Sequence, residues 1–382
     1  MGNNSLCNKH KIIIFKLEEY MLAQIKNVPN QKIIDLKYLK TSKLPLFLYG
    51  MGSYALDVKS HFLDRHDIRL DGVVIDDAYY LPNLSFENYQ VQPLCDILTY
   101  YSSINIIVGF SKCRKKISEL SSNKRVAKCV FIDSPGLADH FFDYDFIKTH
   151  NSLLNALYHG LADDYSRKVM LAYINAKISG YPGDLYDLNM ENEKQYVQYF
   201  PPFLHFSENE IFVDCGAFDG DTILSFSRHT NGKYDKIYGF ECDKINVEKL
   251  KKNVSQLNHV NIVEKACFSS KSILSFSTRG NELSKIDENG TFQIETEKID
   301  DIVSEENVSF IKMDIEGAEL EALKGAKHTI EKNAPKLAIS VYHKPEDLIT
   351  IPQYLLSLHN NYQLYLRNYR YISGDIILYC SL

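Results

Sequence analysis

Residues 211–222, with the sequence IFVDCGAFDGDT, form the segment that decides the predicted fold. A short apolar strand leads through a glycine turn into the start of a helix. Gly216 and Gly220 let the backbone approach a ligand closely. Asp214, near the end of the strand, can accept a hydrogen bond from a cationic amine. The segment therefore predicts a cofactor-binding loop between a strand and a helix.

A carboxylate follows at the end of the next predicted strand. Glu241 lies 21 residues after Gly220, the spacing at which an acidic side chain can accept hydrogen bonds from both hydroxyls of a bound ribose. A cofactor held in this way has an adenosine ribose and needs no pyrophosphate cradle, which suits S-adenosylmethionine better than NAD. The alternative is a plain tight turn with a surface glutamate, and the joint pattern disfavours it.

Predicted strands and helices alternate on both sides of a helical middle, and this alternation implies parallel sheets with crossover helices. Residues 206–382 contain seven candidate strands, enough for a doubly wound α/β sheet. Residues 1–139 show the same rhythm but only about half of a full dinucleotide-binding fold. Residues 140–205 carry leucines at helical spacing. We therefore predict a small Rossmann-like α/β domain, a helical connector and a larger α/β domain, in that order.

Composition limits the classes of function. The chain has 382 residues, of which 45% are apolar and 24% charged, as is usual for globular proteins. Its net charge of −6 offers no basic surface for a phosphate backbone, so nucleic acid is a poor partner. No apolar run suits a signal peptide or a membrane span, and the eight cysteines include no Cys-x-x-Cys pair. These features predict a cytoplasmic protein with reduced thiols and without stable membrane insertion.

Several motifs resemble the FkbM family of S-adenosylmethionine-dependent methyltransferases, and the last of them resembles a bacterial subset with longer N-terminal regions. The resemblance covers residues 200–382 well and the connector more loosely, and it rests on the segments 213–221, 238–241, 310–319, 323–326 and 338–348. It implies a class I methyltransferase sheet and O-methylation, often of saccharide or polyketide hydroxyls. Phe218 departs from the general methyltransferase pattern, which has a second glycine there.

The resemblance also implies which residues hold S-adenosylmethionine. They lie at the ends of predicted strands and in the loops that follow: Asp214, Gly216, Ala217, Phe218, Gly220, Asp221, Thr222, Glu241, Cys242, Ala266 and Asp314. Because ligands of an open α/β sheet bind at the carboxyl ends of its strands, we expect these residues to converge on one edge. Asn368 stands where the closest relatives would have histidine, so no substrate role is carried over to it.

Methyl transfer to a hydroxyl needs a group that takes up the hydroxyl proton as the new bond forms. His343 ends a predicted strand and is our first candidate base, because neutral imidazole operates near pH 7. Asp314 is the second candidate, and Glu316 is a candidate for binding the acceptor. The alternative for His343 is a hydrogen-bonded histidine at a strand end. Glu319 is expected to have a structural role near a helix N-terminus.

A metal is a further possibility at the same place. Asp314 and Glu316 could hold Mg²⁺, but two carboxylates without a third clear oxygen ligand do not establish such a site. The cofactor that the sequence predicts is therefore S-adenosylmethionine, with Mg²⁺ left open.

The first α/β unit carries a weaker nucleotide-binding pattern. Gly50-x-Gly52 follows a predicted strand and opens a helix, and Asp76 lies 24 residues beyond Gly52. This spacing fits a dinucleotide or nucleotide-sugar site. The favoured alternative is a degenerate fold retained for packing or dimerisation, because the usual second half of a dinucleotide fold is missing.

The expected function is O-methylation of a small-molecule or glycan acceptor, namely a surface glycan or a nucleotide-linked sugar. A nicotinamide-dependent sugar oxidoreductase is disfavoured because no suitable Tyr-x-x-x-Lys pair accompanies the first unit. A non-catalytic binding or scaffold protein is disfavoured because every expected cofactor position holds a competent residue. The sequence leaves homo-oligomer formation open.

Overall fold

The computed structural model describes residues 21–135, 142–192, 197–277, 285–286 and 292–382. Its strands are β1 (Leu46–Tyr49), β2 (Gly72–Ile75), β3 (Ser85–Phe86), β4 (Tyr89–Pro93), β5 (Ile104–Val108), β6 (Val126–Phe131), β7 (Ile211–Cys215), β8 (Lys236–Phe240), β9 (Val260–Val263), β10 (Ala266–Cys267), β11 (Ile273–Ser277), β12 (Lys285–Ile286), β13 (Phe292–Glu297), β14 (Phe310–Met313), β15 (Lys336–Ser340), β16 (Gln363–Asn368) and β17 (Ile376–Ser381).

Helices connect most of these strands. They are α1 (Gln31–Thr41), α2 (Ser53–Asp57), α3 (Leu94–Tyr100), α4 (Arg114–Ser122), α5 (Tyr144–Thr149), α6 (Asn151–Gly160), α7 (Asp164–Ser179), α8 (Gly183–Asn192), α9 (Asp221–His229), α10 (Lys244–Asn253), α11 (Ile299–Ile302), α12 (Glu319–Lys324), α13 (Lys327–Asn333) and α14 (Asp347–Leu358). Within the described segments, no helix has the length and apolar character that crossing a membrane requires.

The larger sheet has seven strands in the order β16-β17-β15-β14-β7-β8-β9. All neighbouring pairs are parallel except those of β17, which is antiparallel to β15 and to β16. Strands β7 and β14 are buried along their whole length, as expected for central strands covered on both faces. The strand order reverses between β7 and β14, and such a reversal opens a ligand crevice at the carboxyl ends. The doubly wound α/β fold predicted for this region is confirmed.

The first unit has a sheet of its own in the order β3-β4-β2-β1-β5-β6. Its strands are parallel except for β3, and the order reverses between β1 and β5. The hairpin of β3 and β4 was not predicted, because its strands are short and polar on one side. A small four-stranded sheet, β10-β13-β11-β12, accompanies the larger one. The domain boundaries at residues 139 and 205 stay predictions.

Side-chain hydrogen bonds and an ion pair attach the helical connector to β16, the edge strand of the larger sheet. Asp163 accepts a hydrogen bond from the Ser166 amide and so caps α7. The same carboxylate lies 2.7 Å from the guanidinium of Arg367 in β16, a side chain that is almost fully buried. Arg367 also donates to the Ser166 hydroxyl. These bonds hold the helical connector against β16.

The loop between β16 and β17 joins the larger sheet to the first unit. Ile372 packs in the apolar cluster of the first sheet with Phe47 and Phe131. The Ser373 amide donates to the buried Asp133 carboxylate at 3.0 Å, and the Ser373 hydroxyl donates to the other oxygen of that carboxylate. Because Asp133 follows β6 and the loop follows β16, the carboxyl edges of the two sheets face each other.

Gly216 provides a test of how closely the β7 loop must approach β14. A Cβ at Gly216 would lie 2.2 Å from the Asp314 carbonyl oxygen, and the residue has φ +78°. Gly232 has a similar φ of +74°, but no atom lies within 4 Å of its Cβ position. In both alanine variants the left-handed backbone conformation lowers the unfolding free energy by about 1–2 kcal/mol. We expect Gly216→Ala to lose a further ~1–3 kcal/mol of unfolding free energy from the clash. If urea denaturation shows that Gly216→Ala and Gly232→Ala lose equal amounts of unfolding free energy, the close approach of Gly216 to Asp314 is contradicted.

Candidate active site

The loop after β7 is held between the strands on either side of it. The amides of Gly216 and Ala217 both donate to the Phe240 carbonyl, at 3.0 and 2.9 Å. On the other side, Gly216 lies against the backbone of Asp314. Phe218 adopts a positive φ of +49°, a backbone conformation that glycine adopts without a steric cost. The loop thus presents its backbone at the crevice between β7 and β14.

Glu241 reaches from the end of β8 to this loop. One carboxylate oxygen accepts from the Phe218 amide at 2.9 Å. The other accepts from the amides of Cys242 and Asp243, at 2.9 and 2.8 Å. Burial raises the pKa of the Glu241 carboxyl, and the three amides oppose that shift. Since a carboxylate has about four acceptor sites, Glu241 keeps capacity for a ligand hydroxyl.

Asp214 forms a buried ion pair with a residue that the sequence analysis did not single out. Its carboxylate lies 3.0 Å from the Lys312 ammonium, and both side chains are buried. The same ammonium donates to the Gly216 carbonyl at 2.8 Å. Burial raises the pKa of Asp214 to about 6, against the opposing charge of Lys312. In the described structure the cationic amine that Asp214 contacts belongs to Lys312, and a contact of Asp214 with the cofactor stays a prediction.

One cavity of about 820 Å³ collects most of the predicted cofactor residues. Those that line it are Gly216, Phe218, Asp221, Thr222, Glu241, Cys242, Ala266 and Asp314. Asp214, Ala217 and Gly220 are not among its described lining residues. Ala217 is buried, and a Cβ at Gly220 would collide with Leu250 and Val254. Packing at Ala217 and Gly220 and the ion pair of Asp214 support the loop, and direct contacts of these three residues with the cofactor stay predictions.

Asp314 lies at the end of β14 and faces the cavity. The Tyr199 hydroxyl donates to one of its carboxylate oxygens at 3.0 Å, and the Tyr342 hydroxyl donates to the other at 3.1 Å. Burial works to raise the pKa of Asp314, but the charges of His343 and Lys312 outweigh it and lower the pKa. Burial raises the pKa of both phenols, so they remain donors. Asp314 is therefore a fixed anion.

His343 is surrounded by three carboxylates. Its Nδ1 lies 2.9 Å from Glu319, and its Nε2 lies 3.5 Å from Glu316 and 3.6 Å from Asp314. Burial works against the charged form, but these carboxylates raise the pKa of His343 to about 10. An imidazolium cannot accept a proton, and His343 is not among the described residues that line the cavity. This arrangement disfavours a neutral histidine base in the free protein, and the catalytic role of His343 stays a prediction.

Glu319 behaves as a structural residue. Its side chain is fully buried, and it accepts from the Ile315 amide at 2.9 Å while it contacts the imidazole. Glu316 lies on the turn before α12 with a positive φ of +57°, and it lines the cavity. A left-handed non-glycine residue at a ligand cavity is a common feature of functional sites.

The same cluster is the place where the structure could hold a metal. Ligand atoms of Asp314, Glu319 and His343 lie within 4.8 Å of one another. However, Glu319 faces Nδ1 and Asp314 faces Nε2, so the imidazole ring stands between the two carboxylates. Mg²⁺ prefers a near-octahedral set of oxygen ligands. The geometry favours a network of ion pairs around an imidazolium, and the Mg²⁺ site stays a prediction.

The first unit contributes residues that the sequence analysis did not assign to this site. Ser53, Ser111 and Ser134 line the same cavity, together with Tyr54. They follow β1, β5 and β6, and the Gly50-x-Gly52 pattern was the only signal that pointed to this edge. Asp76, in contrast, lies 3.0 Å from the Lys116 ammonium. This pairing disfavours the role in ribose binding that its spacing suggested.

Comparisons with known proteins agree with this architecture. Residues 214–372 match the family model described as the methyltransferase FkbM domain. The crystal structure of methyltransferase FkbM from Methylobacillus flagellatus has 22% sequence identity and a TM-score of 0.70, and the match covers 97% of this chain and 99% of that one. The two proteins thus share a class I methyltransferase-like fold.

Two further solved structures match with lower TM-scores and cover about half of this chain. An rRNA methylase from Streptococcus thermophilus has 15% identity and a TM-score of 0.31, over 46% of this chain and 86% of that one. Aeropyrum pernix fibrillarin, in complex with S-adenosyl-L-methionine, has 9% identity and a TM-score of 0.30, over 47% and 70%. No curated protein matches this sequence.

The charge on His343 predicts how stability depends on pH. The native pKa of about 10 lies above the ordinary value of 6.5, so the native state binds the proton more tightly than the unfolded chain. The stabilisation is complete below pH 6.5 and is lost as pH rises towards 10. We expect the difference in unfolding free energy between the wild type and His343→Gln to fall with pH in this window, by at most ~1.4 kcal/mol per pH unit.

The exposed His328 of α13 serves as the control for this experiment. The difference between the wild type and His328→Gln should stay level over the same window. If the two differences follow the same curve, the carboxylates do not hold a proton on His343.

Proposed function

We propose that this chain, which carries a methyltransferase FkbM domain at residues 214–372, transfers a methyl group from S-adenosylmethionine to a hydroxyl of a saccharide. The observation that carries the proposal is the joint placement of the glycine loop, Glu241 and Asp314 at one crevice. A cytoplasmic location and a role in the modification of polysaccharides or their precursors belong to the same proposal.

The residues at the crevice fit an adenosyl cofactor with a positive charge. Gly216 leaves no room for a side chain beside Asp314, so the backbone itself forms the cofactor wall. The Glu241 carboxylate is turned towards this loop and would accept from a ribose hydroxyl. Asp314 would face the positive charge, because it is an anion held in place by two phenols. When bound, S-adenosylmethionine supplies an activated methyl group.

The acceptor must lose a proton during the transfer. The hydroxyl oxygen forms a bond to the methyl carbon, the carbon–sulfur bond breaks, and the hydroxyl proton passes to a base. We assign this base to Glu316, because it lines the cavity and a positioned carboxylate can act as a general base. Asp314 is the weaker candidate, since both of its oxygens already accept from phenols. His343 acts as a positioning residue that holds the two carboxylates through its charge.

No step of the proposed transfer is assigned to a metal. The imidazolium offsets part of the carboxylate charge, and Asp314 and Glu319 lie against different nitrogens of the ring. Positioning of the hydroxyl and removal of its proton are then the contributions of the protein to the rate.

Removal of the Glu241 carboxylate tests the cofactor assignment. We expect Glu241→Ala to weaken binding of S-adenosylhomocysteine by about 1–3 kcal/mol, because a charged hydrogen-bond partner is lost. Isothermal titration calorimetry measures this change. Glu264→Ala is the matched control, since Glu264 is exposed and pairs with Lys251. If both folded variants bind S-adenosylhomocysteine with equal affinity, Glu241 is not part of the cofactor site.

A glutamine at Glu316 tests the base. It preserves the shape of the side chain but cannot take up the proton, so kcat should fall by roughly 10²–10⁴ while S-adenosylhomocysteine still binds. The control is Glu331→Gln on the exposed side of α13. If Glu316→Gln keeps normal turnover and Asp314→Asn loses it with the cofactor bound, the base is Asp314.

A further inference from the structure

We propose that the first unit forms the acceptor half of the cavity, and that this half selects an uncharged saccharide over a nucleotide-linked sugar. The inference rests on the proposed function and decides between the two acceptor classes that the sequence left open. It depends on the shape of the cavity, on the contacts that fix its wall, and on the charges that line it.

The cavity extends from the cofactor residues to the carboxyl edge of the first sheet. Its volume of about 820 Å³ is near the upper end of the range for small-molecule sites, roughly 300–1,000 Å³. Glu241 and Asp221 lie at the cofactor end, whereas Ser53, Ser111 and Ser134 come from the first unit. Both sheets reverse their strand order where they face this space. The acceptor therefore has a wall of its own opposite the cofactor residues.

Contacts between the two sheets fix that wall. Ser373 donates twice to the buried Asp133 carboxylate, and Ser134, next to Asp133, has its hydroxyl 3.4 Å from that of Ser373. Ile372 is anchored in the first apolar cluster. Charge-assisted hydrogen bonds of this kind are stronger than neutral ones. The serine wall is thus held at a set distance from Asp314 by the rest of the chain.

Acidic residues outnumber basic ones among the described lining residues. The six acids are Asp57, Asp221, Glu241, Asp314, Glu316 and Asp375, and the three bases are Lys265, Lys312 and Arg370. The formal charges, −6 and +3, leave −3 on the described lining. A negative lining attracts a cationic cofactor and repels phosphate groups.

Each of the three basic residues already has an acidic partner. Lys312 pairs with Asp214 at 3.0 Å, and Lys265 pairs with Glu297 at 2.9 Å. The Arg370 guanidinium lies 3.5 Å from the buried Asp375 carboxylate. A diphosphate would have to draw one of these cations away from its carboxylate. The lining is therefore poorly suited to the anionic part of a nucleotide-linked sugar.

The acceptor wall has the chemistry of sugar recognition. Serine hydroxyls both donate and accept hydrogen bonds, and three serines of the first unit line the cavity. The carboxylate of Asp57 and the amide of Gln198 add further polar groups. Such a set pairs with the hydroxyls of a neutral saccharide without requiring a charge on it.

Methyl transfer from radiolabelled S-adenosylmethionine to two acceptor panels tests the inference. One panel holds neutral oligosaccharides and the other holds UDP- and GDP-linked hexoses. We expect transfer to neutral oligosaccharides, with a KM that changes less than about twofold between 50 and 500 mM NaCl because no charged contact is screened. Preferential transfer to nucleotide-linked sugars would overturn this inference and leave the proposed function intact. Transfer to neither panel, with S-adenosylhomocysteine still bound, would contradict both.

A cavity-filling variant tests the role of the first unit. Ser53 is exposed at the start of α2, so Ser53→Trp should fold and narrow only the acceptor half. We expect its KM for the neutral oligosaccharide to rise by about tenfold or more, equal to ~1.4 kcal/mol, with an unchanged affinity for S-adenosylhomocysteine. Ser122→Trp, at the exposed end of α4, is the control. An unchanged KM in Ser53→Trp would show that the first unit does not form the acceptor wall.

Discussion

The buried ion pair between Asp214 and Lys312 fixes the geometry of the crevice. These residues are direct neighbours in the pairing of β7 with β14, at the point where the sheet reverses its order. Removal of one partner from such a pair leaves a buried charge and typically destabilises by about 3–5 kcal/mol. Lys312 also binds the Gly216 carbonyl, so this ion pair, together with the amide bonds to the Phe240 carbonyl, holds the glycine loop and Glu241 bonded to it.

Around His343, the protein concentrates negative charge and compensates only part of it. Three carboxylates surround one imidazolium, and the two phenols that bind Asp314 are neutral. The remaining negative charge lies beside the cavity, where a cationic cofactor would bind. A neutral site would bind the cationic cofactor less tightly, so the uncompensated negative charge strengthens cofactor binding.

The sequence was sufficient for the fold because the central strands are continuous apolar runs and the glycine loop has a fixed spacing from Glu241. It was not sufficient for the roles of single charged groups. The partner of Asp214 lies 98 residues away in Lys312, and no local pattern indicates that pairing. The protonation of His343 depends on Glu319 and Glu316, which a turn and a helix bring to the two ring nitrogens. The serines of the first unit reach the cavity only through a contact between loops, which periodicity cannot reveal.

Residues 372 and 373 contact the first unit, which is synthesised long before them. The first sheet leaves the ribosome long before the loop between β16 and β17, because domains fold from the N-terminus as they are made. Until that loop arrives, Asp133 has no Ser373 to bind and the apolar cluster lacks Ile372. The newly made protein therefore closes its two halves around the cavity only after residues 372 and 373 have been made, and a chain that stops short of β16 has both sheets begun but no enclosed site.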